Sequence, residues 1–85
     1  MKLKNYVKQH RARLNITQKD LANRTGVSRQ TINSIETGKY IPSALVALKI
    51  AEALKMKFDD LFELIRDKED RESFIDRIQK SRFDN

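Results

Sequence analysis

Arg29, Gln30, Asn33 and Ser34 are the side chains of this sequence best suited to molecular recognition. They fall at i, i+1, i+4 and i+5, so on an α-helix they share one face, and Ile32 and Ile35 fall on the opposite one. A surface helix of this size more often carries Glu and Lys. Here the outward set is guanidinium, amide and hydroxyl, which suits hydrogen bonding to base edges. Gln pairs bidentately with adenine N6 and N7, and Arg with guanine O6 and N7. The Thr31 methyl can meet a thymine methyl, and each good base contact discriminates by ~1–3 kcal/mol. Other uses stay open residue by residue. Arg29 serves equally well as a phosphate clamp. Asn33 is a base contact, a backbone contact or a solvated helix residue, and Ser34 is small enough simply to allow close approach. Catalysis has no comparable basis. His10 is the single histidine and there is no cysteine, which leaves no catalytic relay, disulfide or thiolate metal site. No enzyme activity, metal or cofactor is expected.

The elements that must present these residues can be read around them. Thr17 is a plausible N-cap with Asp20 three residues on, a capping box in which Asp replaces Glu or Gln. Helix two then runs to Thr25 with Leu21 and Ala22 facing the core. Gly26 supplies a positive φ, and Val27 is an apolar plug. Ser28 caps helix three, which runs to Glu36. This layout is a helix-turn-helix, whose second helix enters the DNA major groove. Helix one is predicted over Leu3–Leu14, with Leu3, Tyr6, Val7, His10 and Leu14 inward and Asn15 in a left-handed turn. After a turn through Thr37, Gly38, Lys39 and Tyr40, Pro42 and Ser43 restart the chain. Helix four runs to Leu54 on a stripe of Val46, Ala47, Ile50, Ala51 and Leu54, with Leu48 beside it. Helix five starts near Phe58, has Asp59 and Asp60 in its first turn, and carries Leu61, Phe62 and Ile65 as its apolar face. The expected fold is all-α.

Bulk properties agree. The chain has 85 residues, two glycines and one proline, which favours a single small helical domain. Residues 1–57 hold 12 Lys and Arg against Asp20, Glu36 and Glu52, a balance of +9, and residues 58–85 hold 6 against 9 acids, a balance of −3. A positive field concentrated on the helix-turn-helix half attracts phosphate and steers association. Phosphate contacts from Lys39, the Tyr40 hydroxyl and helix N-termini fix register without reading sequence. Tyr40 can equally pack against helix four. No apolar run approaches the ~20 residues of a membrane span. The N-terminal MKLKNYVKQH lacks the apolar stretch of a signal peptide, so a cytoplasmic location without a membrane partner is expected.

The strings RARLNITQKDLA, TGVSRQTINSIETGKY, PS and LKIAEALKMKFDDLFEL, in that order and spacing, resemble the Cro/Xre-type, phage-repressor-like helix-turn-helix regulators over residues 5–63. The resemblance implies a compact five-helix domain that binds double-stranded operator DNA as a homodimer on a palindrome, most often as a repressor. It implies that Gln18, opening helix two, contacts the DNA backbone or braces the recognition helix. It assigns Ser28, Arg29, Gln30 and Thr31 to the leading end of that helix, Asn33 and Ser34 to its exposed side, and Lys39 and Tyr40 to a phosphate-gripping loop. Arg11 and Glu36 fall where the family often has a buried ion pair tying helix one to helix three. Three departures stand out. His10 replaces an apolar or aromatic residue, Lys57 is a poor N-cap for helix five, and Leu45 is apolar where a polar residue is common.

The division expected is a DNA-binding domain over 1–65 and a helical tail over 66–85, with a sixth amphipathic helix over 70–81 carrying Phe74, Ile75 and Ile78. The tail can fold back on its own domain, hold a separate partner, or form a dimer contact from Leu61, Phe62, Ile65, Phe74, Ile75 and Ile78. Two rival functions remain at this level. One is an antitoxin-like module that binds a partner protein through the tail and regulates itself through the helix-turn-helix. The other is a nonspecific nucleic-acid binder.

Overall fold

The computed structural model describes residues 2–66. Its elements are β1 (Lys2–Asn5), α1 (Val7–Arg13), α2 (Gln18–Thr25), α3 (Arg29–Glu36), α4 (Ala44–Ala53), α5 (Phe58–Leu61) and β2 (Phe62–Ile65). Local chemistry sets most of the helix boundaries. Thr17, Ser28 and Ser43 each accept a backbone N–H three residues on, from Asp20 at 3.0 Å, Thr31 at 3.0 Å and Val46 at 3.2 Å. Each satisfies one of the N–H groups that a helix start leaves without a partner. Lys57 offers no such bond, and α5 is a single turn.

The ends of α1 and α4 are built alike. Asn15 (φ 57°) and Lys55 (φ 56°) are left-handed. The chain then folds back, with Ile16 N donating to the Arg11 carbonyl and Met56 N to the Ala51 carbonyl, both at 2.9 Å. This return satisfies carbonyls that the last helical turn leaves open. Asn tolerates the conformation, whereas Lys carries the full steric penalty of its Cβ.

The apolar faces converge on one core. Val7, Leu21, Ile32, Ile35, Ile50, Leu54 and Leu61 are fully buried, with Leu3, Val27, Val46, Ala53 and Met56 packed around them. Of the residues expected inward on helix one, Val7 alone is wholly buried; His10 is half-buried and Leu14 is exposed just past the helix end. Leu45 and Leu48 are both exposed on α4, which corrects the placing of Leu48 beside the buried stripe.

The expected all-α fold is overturned by a two-stranded sheet. β1 and β2 pair antiparallel, with Lys2 opposite Ile65, Leu3 opposite Leu64, Lys4 opposite Glu63 and Asn5 opposite Phe62. Helical spacing assigns residues 3–6 to helix one and 62–65 to helix five, but α1 begins at Val7 and α5 ends at Leu61. Short apolar runs fit a helix or a strand equally well until a partner strand is known. Pairing here lets Leu3 pack on the core and sets Lys4 against Glu63, an opposite-charge cross-strand pair. Tyr6 seals the junction: its N–H donates to the Leu61 carbonyl at 2.9 Å and its hydroxyl to Glu63 Oε2 at 2.6 Å. The hydrogen bond to Glu63 raises the Tyr6 pKa above its usual value. The sixth helix expected over 70–81, with Phe74, Ile75 and Ile78, lies outside the described residues.

Lys55→Gly removes a Cβ from a left-handed position, so it is expected to stabilise the fold by up to ~1 kcal/mol despite the added freedom of the unfolded chain. The check is the urea midpoint, which should rise with an unchanged slope.

Candidate nucleic-acid interface

The geometry of the α2–α3 unit begins at Thr17. Its N–H donates to Asp20 Oδ2 at 3.3 Å while Asp20 N donates to its hydroxyl at 3.0 Å, completing the capping box. The side chain and then the backbone N–H of Thr17 hold the Asp20 carboxyl below its ordinary pKa. At the other end of α2, Gly26 is left-handed at φ 72° with open space where a Cβ would stand. The requirement for glycine there is therefore one of backbone, not of room.

Ile32 and Ile35 bind α3 to the core, so Arg29, Gln30 and Asn33 are exposed and Thr31 and Ser34 are half-buried. Ser28 caps the helix, and its Oγ lies 2.8 Å from Thr31 Oγ1, so these two hydroxyls occupy each other. The remaining residues separate into two neighbouring groups. Gln30, Ser34 and Tyr40 line a shallow depression together with Ser28 and Thr31. Arg29 lines another depression with Gln18, Lys19 and Arg11, beside the α2 N-terminus. Lys19 adds a cation there that reasoning from sequence left out; its one signal is a Lys in the first turn of α2. The loop after α3 is held against the helix end. Lys39 N and Tyr40 N both donate to the Ser34 carbonyl, at 2.9 and 3.2 Å, which leaves both side chains exposed.

Beneath this surface lies a connected polar network. Arg11 Nε donates to Glu36 Oε2 at 2.9 Å and Arg11 Nη2 to Oε1 at 3.2 Å. Arg11 Nη1 also donates to the Ile16 carbonyl at 3.0 Å. The two side chains are 15% and 2% exposed. Gln18 Nε2 donates both to Glu36 Oε1 at 3.2 Å and to Asn33 Oδ1 at 3.1 Å. Gln18 therefore stands between the ion pair and the exposed face of α3.

A second support comes from Asn5, another residue left out at the sequence level. Its Nδ2 donates to the Ile35 carbonyl at 2.9 Å and its Oδ1 accepts from Val7 N at 3.2 Å. It therefore fixes the far end of α3 to β1 and takes the first N–H of α1. The available signals were the Lys2–Leu3–Lys4 alternation and an Asn two residues before the helix start.

The apolar residues set aside for a subunit contact separate. Leu61 and Phe62 are buried in the chain's own core, Ile65 is exposed, and Phe74, Ile75 and Ile78 lie outside the described residues. Burial removes Leu61 and Phe62 from an exposed contact face. No described helix is long and apolar enough to cross a membrane.

Residues 7–61 match a family model described as Helix-turn-helix. YgzD of Bacillus subtilis, an uncharacterized HTH-type transcriptional regulator, is 50% identical over 62 residues, covering 73% of this chain and 94% of that protein. The cryptic phage CTXphi transcriptional repressor RstR of Vibrio cholerae is 33% identical over 61 residues, 72% of this chain and 54% of the repressor. Among solved structures, the restriction-modification controller protein C.AhdI from Aeromonas hydrophila superposes with a TM-score of 0.59 at 27% identity, covering 61% of this chain and 79% of that one.

Two outcomes are expected from this geometry. Arg11→Ala strands a buried carboxylate and should cost about 3–5 kcal/mol in urea unfolding, while Arg11→Met with Glu36→Leu should recover much of that loss. Asp20 contributes through a lowered native pKa, so its contribution is complete above the unfolded-state pKa and is lost as pH falls through the native one. The stability gap between the parent and Asp20→Asn should therefore close on acidification, as read from unfolding midpoints against pH.

Proposed function

The chain belongs to the helix-turn-helix family, and on that premise we propose that it is a sequence-specific DNA-binding transcriptional regulator with α3 in the major groove. The observation that carries this reading is the composition of the exposed face of α3. Arg29 and Gln30 stand free at its leading turn, and Asn33 follows on the same side. These side chains suit purine edges in the major groove. Lys39 and the Tyr40 hydroxyl contact phosphate from the loop, and Lys19 does so beside the α2 N-terminus. The excess of +9 over residues 1–57 supplies the attraction and the speed of encounter.

The regulator acts as a repressor and as a homodimer. Similarity to the phage repressor supports the first. The second follows from scale: one eight-residue recognition helix touches few base pairs. Two copies related by a two-fold axis place their helices ~34 Å apart, one turn of DNA, and read a palindrome. Occupying such an operator denies it to other proteins.

Selection from a random duplex pool should recover one palindrome with half-sites ~10 base pairs apart. Gln30→Ala should cost ~1–3 kcal/mol on that site and relax one position of each half. Lys39→Ala should weaken all sequences alike and lower the salt slope by about one. Recovery of no motif, with binding that collapses in salt, would leave an electrostatic gripper and refute the proposal.

A further inference from the structure

Asn33 can present either end of its amide to a base, and the two ends ask for opposite partners: the oxygen accepts and the nitrogen donates. Four hydrogen bonds behind it decide which end is free. Glu36 carries a carboxylate, held in that form of contact by the two-pronged Arg11 guanidinium. A carboxylate only accepts, so Gln18 must turn its nitrogen toward Glu36 Oε1. The second hydrogen of that nitrogen points at Asn33, which must answer with its oxygen. The Asn33 nitrogen is then the outward end, on the exposed side of α3, and no described residue accepts from it.

We propose that Glu36 and Gln18 are positioning residues for base recognition: they lock the amide of Asn33 with its donor end toward DNA. This inference rests on the DNA-reading role of α3 given above. Its consequence is a definite chemical preference. Every base pair carries acceptors in the major groove, so the preference concerns which base of the pair lies under Asn33: guanine offers N7 and O6, adenine N7 and thymine O4. Cytosine offers only the N4 amino group, a donor, and is rejected. The lock is firm because its anchor is 2% exposed, so water cannot readily replace Gln18 as the partner of Glu36. A buried ion pair thus has a role beyond stability. It sends a fixed polarity outward through two amides to the reading surface.

The test compares selected duplex pools for the parent, Asn33→Ala, Gln18→Leu and Asn33→Asp, each checked for folding by thermal melting. Asn33→Ala identifies the position that Asn33 reads, as the one that loses its preference. In the parent, cytosine should be depleted there by roughly fivefold or more. Gln18→Leu leaves Arg11 and Glu36 paired but frees Asn33 to turn over, so the depletion of cytosine should largely vanish at that position and nowhere else. Asn33→Asp still accepts from Gln18 but presents an acceptor outward, so the bases with an amino donor, cytosine at N4 and adenine at N6, should become preferred and the depletion of cytosine should reverse. A purely structural Gln18 would shift affinity or melting without moving one base preference. A depletion of cytosine that survives Gln18→Leu overturns the lock and leaves DNA reading intact, as does an Asn33→Ala pool identical to the parent's. Failure of the parent to select any motif removes the DNA-reading role and this inference together.

Discussion

Glu36 is almost wholly enclosed, and its charge is tolerable because Arg11 meets it with two parallel N–H groups. Taking two charges out of water costs several kcal/mol per ion, so such a pair is weak evidence for added stability. Its value here is geometric. Arg11 belongs to α1, Glu36 to the last turn of α3, and the third arm of Arg11 holds the Ile16 carbonyl in the connection to α2. Gln18 brings the first turn of α2 onto the same carboxylate. One buried charge therefore fixes the mutual positions of three helices, and any displacement of α3 would strand it without a partner.

Apolar packing alone would leave that arrangement less determined. Ile32 and Ile35 hold α3 against the core, but aliphatic contacts tolerate small slides and rotations along a helix axis. A slide of even an ångström would misplace Gln30 and Asn33 relative to a base edge. The hydrogen-bonded ends of α3 resist it. Ser28 closes the leading end, and at the trailing end the Ile35 carbonyl is taken by Asn5 from the sheet. The sheet is small, yet it ties the start of the described chain to its end and so encloses the core from which α3 projects.

Much of this was legible in the sequence because its causes are local. Thr17 with Asp20, Gly26, Ser28 and Ser43 specify their turns and caps through atoms within four residues of one another. The isoleucines of α3 and the stripe on α4 follow from helical periodicity. What escaped is non-local. Lys2–Asn5 and Phe62–Ile65 are too short to declare their type, and each is a strand only because the other lies beside it. Lys55 escaped for a different reason: its left-handed φ is imposed by the return of the chain to the core at Met56, against the preference of the residue.

The sequence by itself therefore determined the helix-turn-helix, its caps, its turn and the residue types offered on its exposed face, since each depends on spacing along a few turns of chain. Tertiary structure decided which of those residues are free. It placed Leu61 and Phe62 in the core and joined Asn33 through Gln18 to a buried charge. These are relations between segments as many as 18 residues apart for Gln18 and Glu36, and 25 for Arg11 and Glu36. A hydrogen bond over such a separation exists only once the core has brought its two ends together, so no local pattern encodes it.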